Sequence, residues 1–295
     1  MRAIVLGGSG FVGSHVADAL VDAGHEVSVF DLAPSRWLAP EQQYIAGDVT
    51  DADAVAAAID GHDVVYNFAG LADIDECRER PLDTVRVNVA GNVNALEGAR
   101  RAGVKRYVFA STIYVASESG SFYRVSKQAC ESYIEEYERE HGVPYTILRF
   151  GTLYGRRASD TNSVHRYLKQ ALLDRSIVAE ASGEELREYI HVEDAARLSV
   201  EVLADEFAHQ QVVLTGHHAL RFRDLLNLIQ EIVGPDVSIE LKAPSEDSGS
   251  AHYSITPYHF RPQLPRKLIG TQYTDLGQGL IDCLRELHDL NVTER

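Results

Sequence analysis

The sequence predicts an α/β protein built on a doubly wound parallel sheet, with a smaller, loop-rich C-terminal part. Three observations predict it. Short, continuous apolar runs alternate with segments of helical period through the first 110 residues. A glycine cluster joins the first run to the first helical segment. Beyond residue 155 the alternation becomes irregular and then proline-rich. Strands separated by helices imply parallel pairing through right-handed crossovers, and continuously apolar strands imply a sheet covered on both faces.

The first run, AIVLG (3–7), reads as a strand, and FVGSHVADALVDAG (11–24) places Val12, Val16, Leu20 and Val21 on one helical face. EVSVFD (26–31) and QYIAGD (43–48) are strands, DADAVAAAID (51–60) a helix and DVVYNFAG (63–70) a fourth strand. PLDTVRVNVAGNVNALEGARRAG (81–103) reads as one long helix and RYVFAS (106–111) as a fifth strand. The segment 123–142 is a helix closed by Gly142, and YTILRFG (145–151) is a strand. Helices are predicted over 161–174, 193–206 and 221–234, and strands over 187–192 and 210–216. Residues 243–272 carry Pro244, Pro257, Pro262 and Pro265 and read as a long loop. The segment 275–290 is an amphipathic helix with Leu276, Leu280, Leu284 and Leu287 in line.

Composition narrows the function classes. A net charge of −16 argues against a nucleic-acid partner, because phosphate binding needs a basic face. No apolar run reaches the roughly 18 residues of a membrane helix, and MRAIVLGGSG reads as structure, not as an address. Cys77, Cys130 and Cys283 are odd in number and far apart, which suits reduced thiols in the cytoplasm. With no close Cys pair, no metal site is expected.

GGSGFVG (7–13) supplies glycines at Gly7, Gly10 and Gly13 between a strand and a helix. Glycines there let the backbone turn tightly and approach a pyrophosphate at the helix start. Asp31 closes the second strand 18 residues beyond Gly13. A carboxylate at that point accepts hydrogen bonds from ribose hydroxyls and repels a 2′-phosphate, so NAD is favoured over NADP.

Tyr123 and Lys127 form the single Tyr-x-x-x-Lys of the chain, eleven residues after Thr112. Four residues apart on a helix, they share a face. A phenol is a poor base at neutral pH unless its anion is stabilised. The Lys127 ammonium, aided by a positive nicotinamide ring, is expected to lower the phenol's pKa. Thr112 is expected to hold an oxygen passing between alcohol and ketone.

With these pieces the chain resembles the extended short-chain dehydrogenase/reductase family, in its NAD-dependent nucleotide-sugar epimerase/dehydratase branch. The likeness rests on GGSGFVG, Asp31, GDVTD (47–51), NFAGLAD (67–73), NVAGNVNALEGAR (88–100), VFAST (108–112), YRVSK (123–127), ILRFGTLYG (147–155) and REYIHVEDAA (187–196) in order. The resemblance implies a Rossmann-type dinucleotide-binding domain of residues 1–155 plus 187–216, and a substrate-binding domain of 156–186 plus 217–295. It implies that Gly7, Gly10, Phe11, Val12, Gly13 and Asp31 hold the cofactor, with Asp48 and Val49 flanking the adenine. Phe68, Ala69, Gly70, Asn88, Ser111, Phe150, Tyr123 and Lys127 complete that set. Thr112, Tyr123 and Lys127 are the implied catalytic group.

For a nucleotide-sugar substrate the resemblance implies Arg187 at the diphosphate, with Thr112, Thr152 and Asn162 as further contacts. Arg261, Arg266 and Lys267 are additional candidates. Dehydratases of the family carry Asp-Glu after their Thr, and this chain has Ile113 and Tyr114. Epimerisation at C4, with NAD recycled, is therefore the expected reaction. A net oxidoreductase, a dehydratase and a non-catalytic NAD-binding scaffold are the alternatives. The resemblance also implies a homodimer through helices 81–103 and 123–142, and a place in cell-surface polysaccharide synthesis. The Thr112–Tyr123 connection is shorter than in relatives, so a more open site, or one closed by 243–272, is expected.

Overall fold

Continuous apolar strands bury both faces only inside a layered sheet, and that is the architecture found. The computed structural model describes residues 1–242, 255–256 and 266–293. The first half contributes β1 (Arg2–Leu6), β2 (Glu26–Asp31), β3 (Gln42–Ala46), β4 (Val64–Asn67), β5 (Arg106–Thr112) and β6 (Tyr145–Phe150). Later come β7 (Thr152–Tyr154), β8 (Ser176–Glu180), β9 (Leu186–His191), β10 (Gln210–Leu214), β11 (Ala219–Arg221), β12 (Ser238–Lys242) and β13 (Arg266–Lys267). The helices are α1 (Phe11–Asp22), α2 (Ala52–Ile59), α3 (Ile74–Glu79), α4 (Pro81–Thr84), α5 (Gly91–Ala102) and α6 (Ser121–His141), then α7 (Ser163–Leu173), α8 (Val192–Glu201), α9 (Phe222–Val233) and α10 (Leu276–Thr293).

The main sheet has the order β13-β10-β6-β5-β4-β1-β2-β3, with neighbouring strands parallel. Chain order reverses at β1, so the crevice beyond the carboxyl ends of β1 and β4 is where such a sheet takes a ligand. One face packs on Val16 and Leu20 of α1 and Leu198 of α8. The other packs on Ile59 of α2, Leu96 of α5 and Ile134 of α6. A further core joins Leu168 of α7, Leu225 and Ile229 of α9, and Leu280 and Leu287 of α10. Two smaller sheets, β11-β9-β7 and β12-β8, lie outside the main one.

Several local features depart from the sequence reading. The helix expected over 81–103 is three pieces, because a π-helical turn, Val85–Ala90, separates α4 from α5. Helix α8 stops at Glu201 and a 3₁₀ turn, Asp205–Phe207, comes after it. Strands β7, β8, β11, β12 and β13 and helix α3 were not anticipated, since each is short and of mixed or polar composition. Of the proline-rich 243–272, only 255–256 and 266–272 are among the described residues. The expectation that this segment closes the site lies largely outside them. Among the described residues no helix is long and apolar enough to cross a membrane.

Helix α1 leans its His15 into the interior, where Nε2 meets the Arg156 carbonyl oxygen at 3.1 Å. Burial lowers the imidazole's pKa from 6.5 to about 4, against a smaller raising effect of that carbonyl. The charged form is thus disfavoured in the fold. The stabilisation is complete above pH 6.5 and is lost as the pH falls from there towards 4. It amounts to roughly 3 kcal/mol. His15→Gln is therefore expected to flatten the loss of thermal stability between pH 6.5 and 4, measured by melting at several pH values. An unchanged slope would refute the assignment.

Candidate active site

The turn after β1 is shaped by two close approaches. Gly7 has φ +78°, and a Cβ on it would lie 2.6 Å from the Ala69 nitrogen. A Cβ on Gly13 would lie 2.2 Å from the Gly7 carbonyl oxygen. Only glycine lets the turn, the first coil of α1 and the end of β4 lie together. Gly10 is the N-cap of α1 and contributes no side-chain cap, so the helix start offers backbone N–H groups to an anion. At the end of β2, the Asp31 carboxylate accepts the Ser9 N–H at 2.9 Å and the Leu32 N–H at 2.8 Å. It fastens the glycine turn to β2. Asp48 is exposed and accepts the Thr50 N–H at 2.8 Å. Val49 packs against Gly91, 3.0 Å from where a Cβ would sit.

The π-helical turn presents Asn88 inward. Its Oδ1 accepts the Leu71 N–H at 2.7 Å, and its Nδ2 donates to the Leu71 carbonyl and to Ser126 Oγ, both at 3.0 Å. Asn88 thus pins the segment after β4 to α6. In the protein itself its amide is engaged in positioning.

The reacting group assembles where β5 ends and α6 begins. Thr112 and Tyr123 both line a cavity there, and the Thr112 Oγ1 accepts the Tyr114 N–H at 3.2 Å. One turn further along α6, Lys127 is buried, donates to the Ala110 carbonyl at 2.7 Å and lies 4.7 Å from the centre of the Phe109 ring. Its Nζ is 5.9 Å from the centre of the Tyr123 ring. The sequence reading expected the ammonium to draw the phenol's pKa down. Instead burial pushes Tyr123 up to about 12, with the Thr112 side chain acting in the opposite direction. Burial likewise lowers the pKa of Lys127. Desolvation sets the direction of both shifts.

Ser111 faces the other way. Its hydroxyl donates to Glu131 at 2.5 Å, and Glu131 accepts two hydrogen bonds from Arg149 at 3.0 and 2.6 Å. The pair is buried, with side chains 7% and 8% exposed. It ties β5, β6 and α6 together beneath Thr112. The sequence reading did not single out Glu131, although it stands one turn beyond Lys127 and opposite an arginine in an apolar strand.

A cavity of about 420 Å³ runs along the strand ends. It takes in Gly7, Gly10, Phe11, Val12 and Gly13 of the turn, Phe68 and Gly70 after β4, and Ser111, Thr112, Tyr123, Lys127 and Phe150. Thr152, Asn162 and Arg187 also line it. Asp31, Ala69 and Asn88 do not line it but hold the glycine turn and Leu71 that do, and Asp48 and Val49 lie outside it. Asn162 caps α7 through the His165 N–H at 3.1 Å, and the Arg187 guanidinium lies 5.6 Å from the Phe222 ring. Leu71–Asp75, Tyr114, Thr161, Ser163 and Arg166 line the cavity too and were missed. The NFAGLAD string was the available signal for the first of these. Two candidates fall elsewhere. Arg266 lies over the Phe207 ring at 5.3 Å, and Lys267 pairs with Glu188 at 2.7 Å. Strand β13 carries both along the sheet edge and not into the cavity. Arg261 is outside the described residues.

Residues 3–216 match the model of the NAD dependent epimerase/dehydratase family. A Mycobacterium tuberculosis 3 beta-hydroxysteroid dehydrogenase/Delta 5→4-isomerase is 42% identical over 119 residues, covering 38% of this chain and 31% of that protein. The alignment thus spans about a third of that relative. A putative UDP-glucose 4-epimerase of Methanocaldococcus jannaschii is 27% identical over 253 residues, covering 78% of this chain and 82% of that protein. Among solved structures, the UDP-glucose 4-epimerase of Thermotoga maritima with UDP-glucose aligns with TM-score 0.82 at 22% identity, covering 99% of this chain and 100% of that one. At that identity the likeness shows the fold.

Proposed function

The chain belongs to the NAD-dependent epimerase/dehydratase family, and we propose that it is an epimerase of a nucleotide-diphosphate sugar. The reaction is inversion at C4 through a transient keto-sugar. One observation carries the reading. Tyr123, Thr112 and Lys127 converge in the same cavity as the glycine turn, and Ile113 and Tyr114 supply no carboxylic acid beside them. Among the described residues, the two carboxylates that line the cavity, Asp73 and Asp75, belong to the segment after β4, where Asp73 caps α3.

The glycine turn fits a pyrophosphate, since a Cβ at Gly7 or Gly13 would meet backbone there. In this reading Gly7, Gly10, Phe11, Val12 and Gly13 hold that group, and Asp31 receives the adenosine ribose, with Asp48 and Val49 near the adenine. Phe68, Ala69, Gly70, Asn88, Ser111 and Phe150 shape the remainder. When bound, NAD supplies a hydride acceptor that returns what it takes. Tyr123 removes the proton of the sugar hydroxyl and gives it back, and Thr112 holds the oxygen through the change from alcohol to ketone. Lys127 orients the cofactor ribose from beneath. Arg187 takes the substrate diphosphate by forked hydrogen bonds, with Thr152 and Asn162 beside it.

The test is incubation of the purified protein with UDP-glucose, UDP-N-acetylglucosamine and UDP-glucuronate, then chromatography of the products. C4 epimers are expected without added reductant. A second reading, a net NAD-dependent oxidoreductase, is favoured by the 119-residue similarity to a hydroxysteroid dehydrogenase. Stoichiometric NADH on adding NAD⁺, with no epimer, would replace the first reading by the second.

The same proposal includes a homodimer through helices 81–103 and 123–142. Leu82 is 80% exposed and Val85 55%, and Phe122, Val125 and Tyr133 are exposed on the adjoining α6. An apolar surface of this kind supports a second copy as its cover.

A further inference from the structure

The ten residues between Thr112 and Tyr123 leave little backbone with which to wall the reacting end of the cavity. The chain builds that wall differently. Thr112 Oγ1 accepts the Tyr114 N–H and opens a 3₁₀ turn, Ile113–Ala116. Ile113 is buried against Val213 and anchors the turn from below. The link then reverses through two consecutive left-handed residues, Gly120 at φ +100° and Ser121 at φ +47°, and enters α6. The space a side chain at Gly120 would need is filled by Tyr114, because a Cβ there would lie 2.9 Å from Tyr114 Cδ1. The Tyr114 ring meets that of Tyr123 edge to face, with centroids 6.4 Å apart and planes at 76°. It lines the cavity together with Thr112 and Tyr123.

We propose that Tyr114 is the specificity-determining residue of the reacting end, a fixed aromatic wall that selects substrates with small groups near the carbon that reacts. The inference rests on the reading that Thr112 and Tyr123 hold the reacting oxygen. An oxygen between those two hydroxyls brings its carbon and neighbouring substituents up to the adjoining ring. The backbone N–H of Tyr114 is fixed by Thr112, and the ring itself packs between Gly120 and the Tyr123 ring. With only two side-chain torsions to restrict, an aromatic wall of this kind is rigid. It accepts the apolar C–H surface of a pyranose and excludes a bulky substituent in the same place.

The experiment compares the wild type with Tyr114→Ala and Tyr114→Phe on two pairs of substrates. The first pair is UDP-glucose and UDP-N-acetylglucosamine. The second, with added NAD⁺, is cyclohexanol and a 3β-hydroxysteroid. Tyr114→Ala is expected to raise kcat/KM for the bulkier member relative to the slimmer by about tenfold or more, the scale on which pocket volume discriminates. Tyr114→Phe keeps the ring and is expected to keep the wild-type ratio. Thermal unfolding and retained NAD check that each variant is intact, and Tyr114→Leu carries the same prediction should the alanine variant not fold. A ratio within twofold of the wild type in intact Tyr114→Ala overturns the proposal. Turnover of the alcohol pair alone overturns the nucleotide-sugar reading, while its size ratio still decides the role of Tyr114. Turnover of none of the four by the wild type overturns both.

Discussion

Tyr123→Phe is expected to lower nucleotide-sugar turnover by about a thousandfold, the middle of the range for a lost general base. The substitution removes one oxygen. That oxygen is held protonated by burial, with its pKa pushed up to about 12. The same burial sets the direction of the pH dependence. With the phenolate as the proposed base, wild-type activity should rise with pH through the neutral range, and the residual rate of the variant should not track it. The ring keeps its edge-to-face contact with Tyr114, so stability should change by no more than about 1 kcal/mol, the net value of one hydrogen bond. Steady-state kinetics beside a melting curve make the check. A variant within tenfold of the wild type would remove Tyr123 from the mechanism.

The largest expected loss of stability is at a residue that touches no reacting atom. Glu131→Ala leaves the Arg149 guanidinium buried without its carboxylate and deprives the Ser111 hydroxyl of its acceptor. Breaking one side of a buried pair costs about 3–5 kcal/mol, because the remaining charge stays desolvated. For a protein of this size that corresponds to a fall in Tm of roughly 5–8 °C. Removing both charges together, as Glu131→Leu with Arg149→Met, should restore most of the loss, since apolar packing replaces a pair that was itself expensive to bury. Thermal unfolding of the single and double variants decides it. A single-variant cost below about 1 kcal/mol would mean that Arg149 finds water or another partner.

How much was legible in advance depends on the range of each signal. The glycine turn could be read because its requirement is local. Gly7 needs a positive φ and Gly13 needs no Cβ, whatever surrounds them. The helix ends at Gly103 and Gly142 were legible for the same reason, both being left-handed caps. The long helix after Pro81 was read as continuous because its apolar spacing does not reveal a π turn, which inserts one residue per turn and redirects Asn88. The unread strands β7, β8, β11, β12 and β13 are short and of mixed or polar composition. The roles of Asn88 and Ser111 were not legible either. Their partners, Leu71 and Glu131, lie 17 and 20 residues away, and only packing selects them among many polar neighbours.

By itself the sequence determined the layered parallel sheet, the glycine turn after β1, and the Tyr123–Lys127 pair on one helical face. Each depends on backbone torsion or on spacing along a single element. The tertiary structure alone decided the sign of the phenol's shift, because burial is a property of everything packed around Tyr123. It alone placed Arg266 and Lys267 on the sheet edge and away from the cavity, since strand pairing sets where β13 runs. It also turned a short connection into an aromatic wall, because Tyr114 meets Gly120 and Tyr123 only after the chain has folded back on itself.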